Sequence, residues 1–216
     1  MKVEVVLTSS SRPNFLKQVW SSYEKYICSR NPLKVTFHED FIKPNLSKKI
    51  KRFMEDKVDV FISTNPAKGL GLAMNMLLNR IESKYVLYLQ DDCIFEKYVI
   101  LDDIINVMDD NPKIQQIVFP KKRPMDIRKT GKHMNFNGLD LTVNDGWAFM
   151  PHVFRVEFMK SQWNNECKNT KRPETIFGKQ LPRKYQKRQS YFLGKPDDDR
   201  VINHAGESKS TKGHWK

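Results

Sequence analysis

The sequence predicts an α/β fold in which a mostly parallel central sheet is flanked by helices. Three observations predict it. Short apolar runs at residues 3–7, 33–37, 58–62 and 85–89 have the length of strands. Segments with apolar residues at helical spacing separate them. The regular β-α-β alternation calls for parallel neighbours joined by helical crossovers.

Taken in order, residues 3–7 form the first strand, and Ser9-Ser10-Ser11-Arg12-Pro13-Asn14 follows, rich in caps and turn formers. Phe15, Leu16, Val19, Trp20, Tyr23 and Ile27 then recur as one face of a helix. A second strand, 33–37, ends at His38-Glu39-Asp40, and Leu46, Ile50, Phe53 and Met54 mark the second helix. A third strand at 58–62 leads through the loop Asn65-Pro66-Ala67-Lys68-Gly69-Leu70-Gly71 into a helix over 72–81. The fourth strand, 85–89, is almost wholly apolar, which places it centrally. Beyond it the pattern predicts a helix at 99–108, a strand at 114–119, a basic loop at 121–132, a strand at 147–150 and a helix at 154–163. The tail from 168 onward is polar, basic and poor in apolar periodicity. Ligands of such sheets bind beyond the carboxyl ends of the strands. The loops at 8–12, 38–40, 65–71 and 90–93 therefore converge on one crevice.

The chain has 216 residues, enough for one core in a single domain spanning 1–216. No apolar run approaches the roughly 18 residues of a membrane helix. The N-terminal apolar stretch is too short for an export signal, so the expected location is the cytoplasm of the producing or host cell. Three widely spaced cysteines, Cys28, Cys93 and Cys167, suggest neither a disulfide framework nor a cysteine zinc site. The net charge of +13 fits anionic partners: an anionic small molecule, nucleic acid or an anionic surface.

The sharpest chemical signal is Gln90-Asp91-Asp92 at the end of the fourth strand. Two adjacent carboxylates repel each other, and a hard divalent cation, Mn2+ or Mg2+, relieves that repulsion. A solvated turn that caps a helix is the plain alternative.

Several segments together resemble the glycosyltransferases of the GT-A (Rossmann-like) fold, in particular the family 2-type group. These are the opening strand with Thr8-Ser9-Ser10-Ser11-Arg12, then Asn65 with Lys68-Gly69-Leu70-Gly71-Leu72-Ala73-Met74-Asn75, and Tyr88-Leu89-Gln90-Asp91-Asp92. The resemblance covers residues 3–95 well and the remainder in patches. It implies a nucleotide-diphosphate sugar donor, a UDP-sugar first, bound by the half 1–95, with 96–216 supplying the acceptor side and a C-terminal tail. By the same resemblance Thr8, Ser9, Arg12, Asp40, Asn65, Lys68, Asn75 and Asp91 contact the donor, Glu39 being the alternative to Asp40. Asp92 and Asp91 hold the metal, and His204, in Val201-Ile202-Asn203-His204-Ala205-Gly206-Glu207, adds a ligand or a phosphate contact. Gln90 stands where the family often has its first aspartate. Glu174 is the implied general base, with Asp145 second, for transfer with inversion.

The implied acceptor is a glycan or other saccharide. A hydroxylated base in DNA is the alternative, because basic residues cluster at 121–132 and 168–188 with Tyr185, Tyr191 and Phe192 interleaved. A non-catalytic nucleic-acid-binding module is a further alternative. A nucleotidyltransferase ranks last, because residues 8–14 lack the glycine-rich phosphate loop it needs. The segment 208–214 carries Lys209 and Lys212 and reads as a lid or a frayed end. The oligomeric state is left open.

Overall fold

The computed structural model describes residues 2–122, 132–144, 146–170, 173–181 and 189–205, apart from the side chains of Glu174 and Gln180. Strand β1 (Val3–Ser9) is buried along its whole length. It lies between β3 (Lys34–Asp40) and β5 (Tyr85–Gln90), parallel to both. Strand β4 (Val60–Thr64) extends the sheet beyond β3, also parallel. The pleat divides the side chains: Val3, Val5, Leu7, Tyr85, Leu87 and Leu89 enter one core, and Val6, Val86 and Tyr88 enter the other. Strands buried on both faces need apolar residues at nearly every position, which is why these runs read so clearly.

Helices cover both faces. Helix α1 (Pro13–Tyr26) starts with Pro13, whose fixed φ and missing N–H suit the first helical turn. It buries Leu16, Val19 and Trp20 on the first face. Helix α2 (Pro44–Met54) also opens on proline and buries Ile50 and Met54 there. Helix α3 (Leu70–Leu78) lies on the opposite face with Met74, Leu77 and Leu78.

The second half departs from the expected pattern in four places. Val99–Ile100 forms a short strand, β7, paired with β2 (Ile27–Cys28), so helix α4 (Leu101–Asp110) begins later than the spacing predicts. The strand expected at 147–150 is not one: Trp147 and Phe149 lie in irregular chain and plug the second core, with Trp147 stacked on Phe158 and Phe149 edge-on to Phe177. The strand instead is β11 (His152–Arg155), which follows Pro151 and takes the start of the expected helix, leaving α5 (Val156–Gln162). A hairpin, β9 (His133–Phe136) and β10 (Leu139–Asn144), turns at Asn137-Gly138. The tail contains α6 (Asn165–Lys168), α7 (Pro173–Gln180), β12 (Ser190–Leu193) and β13 (Ile202–His204).

With β8 (Gln116–Val118), the nine-stranded order is β4-β3-β1-β5-β11-β8-β12-β10-β9. Strand direction is uniform from β4 to β5 and first reverses at β11. Strand β13 pairs with β6 (Cys93–Phe95), just beyond Asp91 and Asp92, and so brings residue 204 back to the end of β5. Among the described residues no helix is long and apolar enough to cross a membrane.

Candidate functional site

The four parallel strands end at one edge, and three carboxylate centres fix the loops that leave them. Glu39, fully buried at the end of β3, receives the Ser11 amide at 2.9 Å and the Ser47 hydroxyl at 2.6 Å on Oε1. Burial raises its pKa, against those donors, which favour the charged form. Ser11 has φ 58°, a left-handed backbone that a residue with a Cβ adopts only when its surroundings impose it. Its hydroxyl accepts the amides of Ile42 at 3.1 Å and Lys43 at 2.9 Å, tying the β1 loop to the β3 loop.

Asp40 organises the next loop. Its Oδ1 receives the Thr64 hydroxyl at 2.6 Å and the Lys68 amide at 2.8 Å, and its Oδ2 receives the Gly69 amide at 2.8 Å. Asp40 therefore clasps the segment that starts α3. Gly69 caps that helix at φ 86°, where glycine carries no steric cost.

The third centre is the aspartate pair. The Asp91 side chain is 1% exposed. The Arg12 guanidinium grips both of its oxygens, with Nε 3.1 Å from Oδ2 and Nη2 on Oδ1. The Ser10 amide donates to Oδ2 at 3.0 Å. Arg12 Nη1 reaches on to Asp92 Oδ2 at 2.6 Å. Burial opposes the guanidinium's charge, yet the two carboxylates overcome it and raise its pKa. Burial raises the pKa of Asp91, and Arg12 acts against it.

Among the described residues, Asp92, Cys93 and His204 can point one donor atom each into a space where these atoms lie within 4.8 Å of one another. His204 Nε2 stands 3.6 Å from Asp92 Oδ2, and its buried Nδ1 has no hydrogen-bond partner. A carboxylate oxygen and an imidazole nitrogen at that separation fit a divalent cation. The Cys93 thiol is a softer third donor, and burial, with the charge of Asp92, holds its pKa well above the usual value. Asp91, expected as a metal ligand, has its oxygens engaged by Arg12 and the Ser10 amide.

The remaining expected residues are distributed unevenly. Thr8 packs inward, its hydroxyl 3.1 Å from that of Tyr88. Ser9 is buried, Asn65 and Lys68 are exposed on the clasped loop, and Asn75 is half-buried on α3. Asp145, the Glu174 side chain, Lys209 and Lys212 lie outside the described residues, as do most of the basic residues at 121–132 and 168–188. Ser10 and Ser11 lie in the segment that carries the resemblance without being singled out there, and Ser47, which also holds the site together, has no sequence signal because a lone serine carries no spacing pattern.

Beneath the site lies His152. It is completely buried, with Nδ1 donating to the Met150 carbonyl at 2.5 Å and the rings of Tyr88, Trp147, Phe149 and Phe154 around it. Burial lowers its pKa to about 4, against that hydrogen bond. The unfolded chain, with an ordinary histidine pKa near 6.5, binds this proton more readily than the native state between the two values. The contribution is therefore complete above about pH 6.5 and is lost as pH falls towards 4. Urea unfolding at pH 7 and pH 4.5 should show a loss of about 2 kcal/mol from this group. His152→Gln should remove that share of the pH dependence; an unchanged slope would refute the assignment.

The sequence profile described as Glycosyl transferase family 2 matches residues 5–181. A search of curated proteins returned no match. Among solved structures, the chain is similar to S. aureus TarS, with TM-score 0.64 and 14% identity over 94% of this chain and 36% of that one. It is similar to S. aureus TarS 1-349 in complex with UDP, with TM-score 0.63 and 15% identity over 94% of this chain and 60% of that one. It is also similar to the mannosyltransferase PcManGT from Pyrobaculum calidifontis in complex with GDP-Man and Mn2+, with TM-score 0.60 and 12% identity over 97% of this chain and 58% of that one. The chain thus spans between about a third and three-fifths of those structures, and the likeness is one of fold.

Proposed function

We propose, on the premise that the chain belongs to glycosyl transferase family 2 and has the GT-A fold, that it moves a sugar from a nucleotide-diphosphate sugar to an acceptor hydroxyl. The observation that carries this reading is the cluster of Arg12, Asp91, Asp92 and His204 at the ends of β1, β5 and β13. Leaving of a nucleoside diphosphate builds negative charge, and a divalent cation on Asp92 and His204 would supply the charge that stabilises it. The TarS complexes with UDP and UDP-GlcNAc, and PcManGT with GDP-Man and Mn2+, support a nucleotide-sugar donor, a UDP-sugar first, and a divalent cation, for which Mn2+ or Mg2+ is proposed.

Around that centre the chain's own groups divide the work. Asp91 holds Arg12 at the mouth of the crevice. Asp40 fixes the loop of Asn65 and Lys68, and the exposed ammonium of Lys68 would contact donor phosphate. Thr8, Ser9 and Asn75 complete the donor side. Glu174, the second residue of α7, is the proposed base that takes the acceptor proton, with Asp145 as the alternative, giving inversion. The half 96–216 supplies the acceptor side, and the acceptor is a saccharide.

One observation favours a second acceptor. A cleft beside the site is lined by Arg12, Lys17, Lys49 and Arg52 with Phe15 and Phe53, and among the described residues no acidic one lines it. Cations beside half-buried rings suit a phosphate backbone with unstacked bases, so DNA carrying a hydroxylated base is the competing acceptor.

Thermal melting with UDP, GDP and TDP, with and without Mn2+, tests the donor. A nucleotide at a hundred times its Kd stabilises by about 2.7 kcal/mol, a rise of roughly 5–10 °C at this size. Absence of any shift at millimolar nucleotide plus Mn2+ would sink the reading. Donor turnover with saccharides against hydroxymethylated DNA then separates the two acceptors.

A further inference from the structure

We propose that Arg12 is a built-in counter-ion that keeps the cation position closed until the donor's diphosphate draws it away, an inference that rests on the reading above. One oxygen decides the matter. Asp92 Oδ2 receives Arg12 Nη1 at 2.6 Å, and the same oxygen faces His204 Nε2 at 3.6 Å. A cation shared by Asp92 and His204 through that oxygen stands beside the Arg12 guanidinium and meets its repulsion unless Nη1 moves off.

The guanidinium is placed for an exchange rather than a complete release. Nε and Nη2 are anchored on the buried Asp91 carboxylate, which the Ser10 amide also holds. The backbone of Arg12 is fixed as the N-cap of α1, with its carbonyl accepting the Leu16 amide at 3.0 Å. Only the third nitrogen, Nη1, bridges to Asp92, and the Arg12 side chain keeps 24% of its surface exposed. Arg12 thus has one fixed limb and one exchangeable limb. A planar fork can serve two carboxylates in this way, whereas the point charge of a lysine cannot hold both with the same geometry.

Charge points the same way. Gln90 is neutral, so two carboxylates face one guanidinium and the pair keeps a single net negative charge. A divalent cation arriving alone meets a positive group already on its ligand. A diphosphate arriving with it gives Nη1 a new acceptor, and the two ligands then favour each other. Such coupling is reciprocal and commonly amounts to 5–150-fold.

The test is a Mn2+ titration followed by electron paramagnetic resonance, on bare protein and on protein saturated with UDP, for the wild type, R12Q and R12K. R12Q, which loses the charge but keeps a donor for Asp91, should bind Mn2+ at least tenfold more tightly than the wild type without nucleotide. The factor by which UDP tightens Mn2+ should fall at least tenfold in R12Q. R12K, which keeps the charge but cannot hold both carboxylates at once, should fall between the wild type and R12Q in bare-protein affinity. Unchanged or weaker Mn2+ binding by R12Q with a native circular dichroism spectrum overturns the proposal. So does a wild type in which bound UDP leaves Mn2+ affinity the same, a measurement that needs no variant to fold. A wild type that binds no nucleotide sinks the functional reading instead, and the bare-protein comparison still decides the role of Arg12.

Discussion

Replacing Asp92 by asparagine should lower sugar transfer by about a thousandfold while the protein stays folded. The side chain keeps its size and loses its charge. Asp92 Oδ2 is the atom on which Arg12 Nη1 and His204 Nε2 converge, so its charge holds the proposed cation in place. Removing one preorganised electrostatic contact from a reacting centre typically costs about 10²–10³ in rate, and loss of a metal-holding charge adds weakened cation binding. The fold should tolerate the change because Arg12 keeps both contacts to Asp91 and the Ser10 amide keeps its own. Initial rates at saturating Mn2+, with melting temperatures alongside, check this. A variant retaining a tenth of wild-type turnover would exclude Asp92 from the centre of the chemistry.

Gly71→Ala should destabilise the protein by about 3 kcal/mol, the upper range for a forced overpacking. An added Cβ would lie 2.5 Å from the Cys167 carbonyl oxygen and 2.8 Å from those of Lys168 and Thr170. All three are backbone atoms, so relief requires α3 to move away from α6 and the chain beyond it. The gain of at most about 1 kcal/mol that alanine brings over glycine within a helix does not offset three such contacts, and Gly71 stands in the first turn. At this size the loss should appear as a fall of roughly 6–12 °C in melting temperature. The displacement would also pull on Asp40, which grips the amides of Lys68 and Gly69 just before α3. Nucleotide affinity should therefore weaken even at temperatures where the variant is folded. A melting temperature within 2 °C of wild type would refute the close-packing account.

The contrast between the two halves shows what a sequence displays. Strands β1, β3, β4 and β5 are enclosed by helices, and enclosure imposes apolar runs that are legible residue by residue. Their order alone places residues 8–12, 38–40, 65–71 and 90–93 at one edge. The register Thr8 opposite Gln90 then makes Arg12 a neighbour of Asp91. What the order does not display is that the arginine holds both aspartates at once, since side-chain direction depends on the Ser11 turn and its φ of 58°. His204 was legible as a candidate only by resemblance, and its position depends on the pairing of β13 with β6.

Beyond residue 95 the signals are shorter and compete. The aromatic run at 147–149 has the composition of a strand, but those rings plug a core, and the strand forms after Pro151 instead. Strand β12 is four residues in a basic stretch, too brief for periodicity to stand out. The β9–β10 hairpin did carry a readable mark. Asn137-Gly138, at φ 50° and 91°, is the two-residue turn that suits twisted antiparallel strands, and the flanking residues pair across it.

That late strand has a consequence for how the molecule is put together. β12 slots between β8 and β10, which precede it in the chain by dozens of residues. Until residues 190–193 arrive, β8 and β10 each present a raw row of amides and carbonyls to any passing extended segment. This late stretch thus acts as a keystone. The distal third of the sheet is sealed only once residues 190–193 have been made, long after β1, β3 and β4 have met their partners.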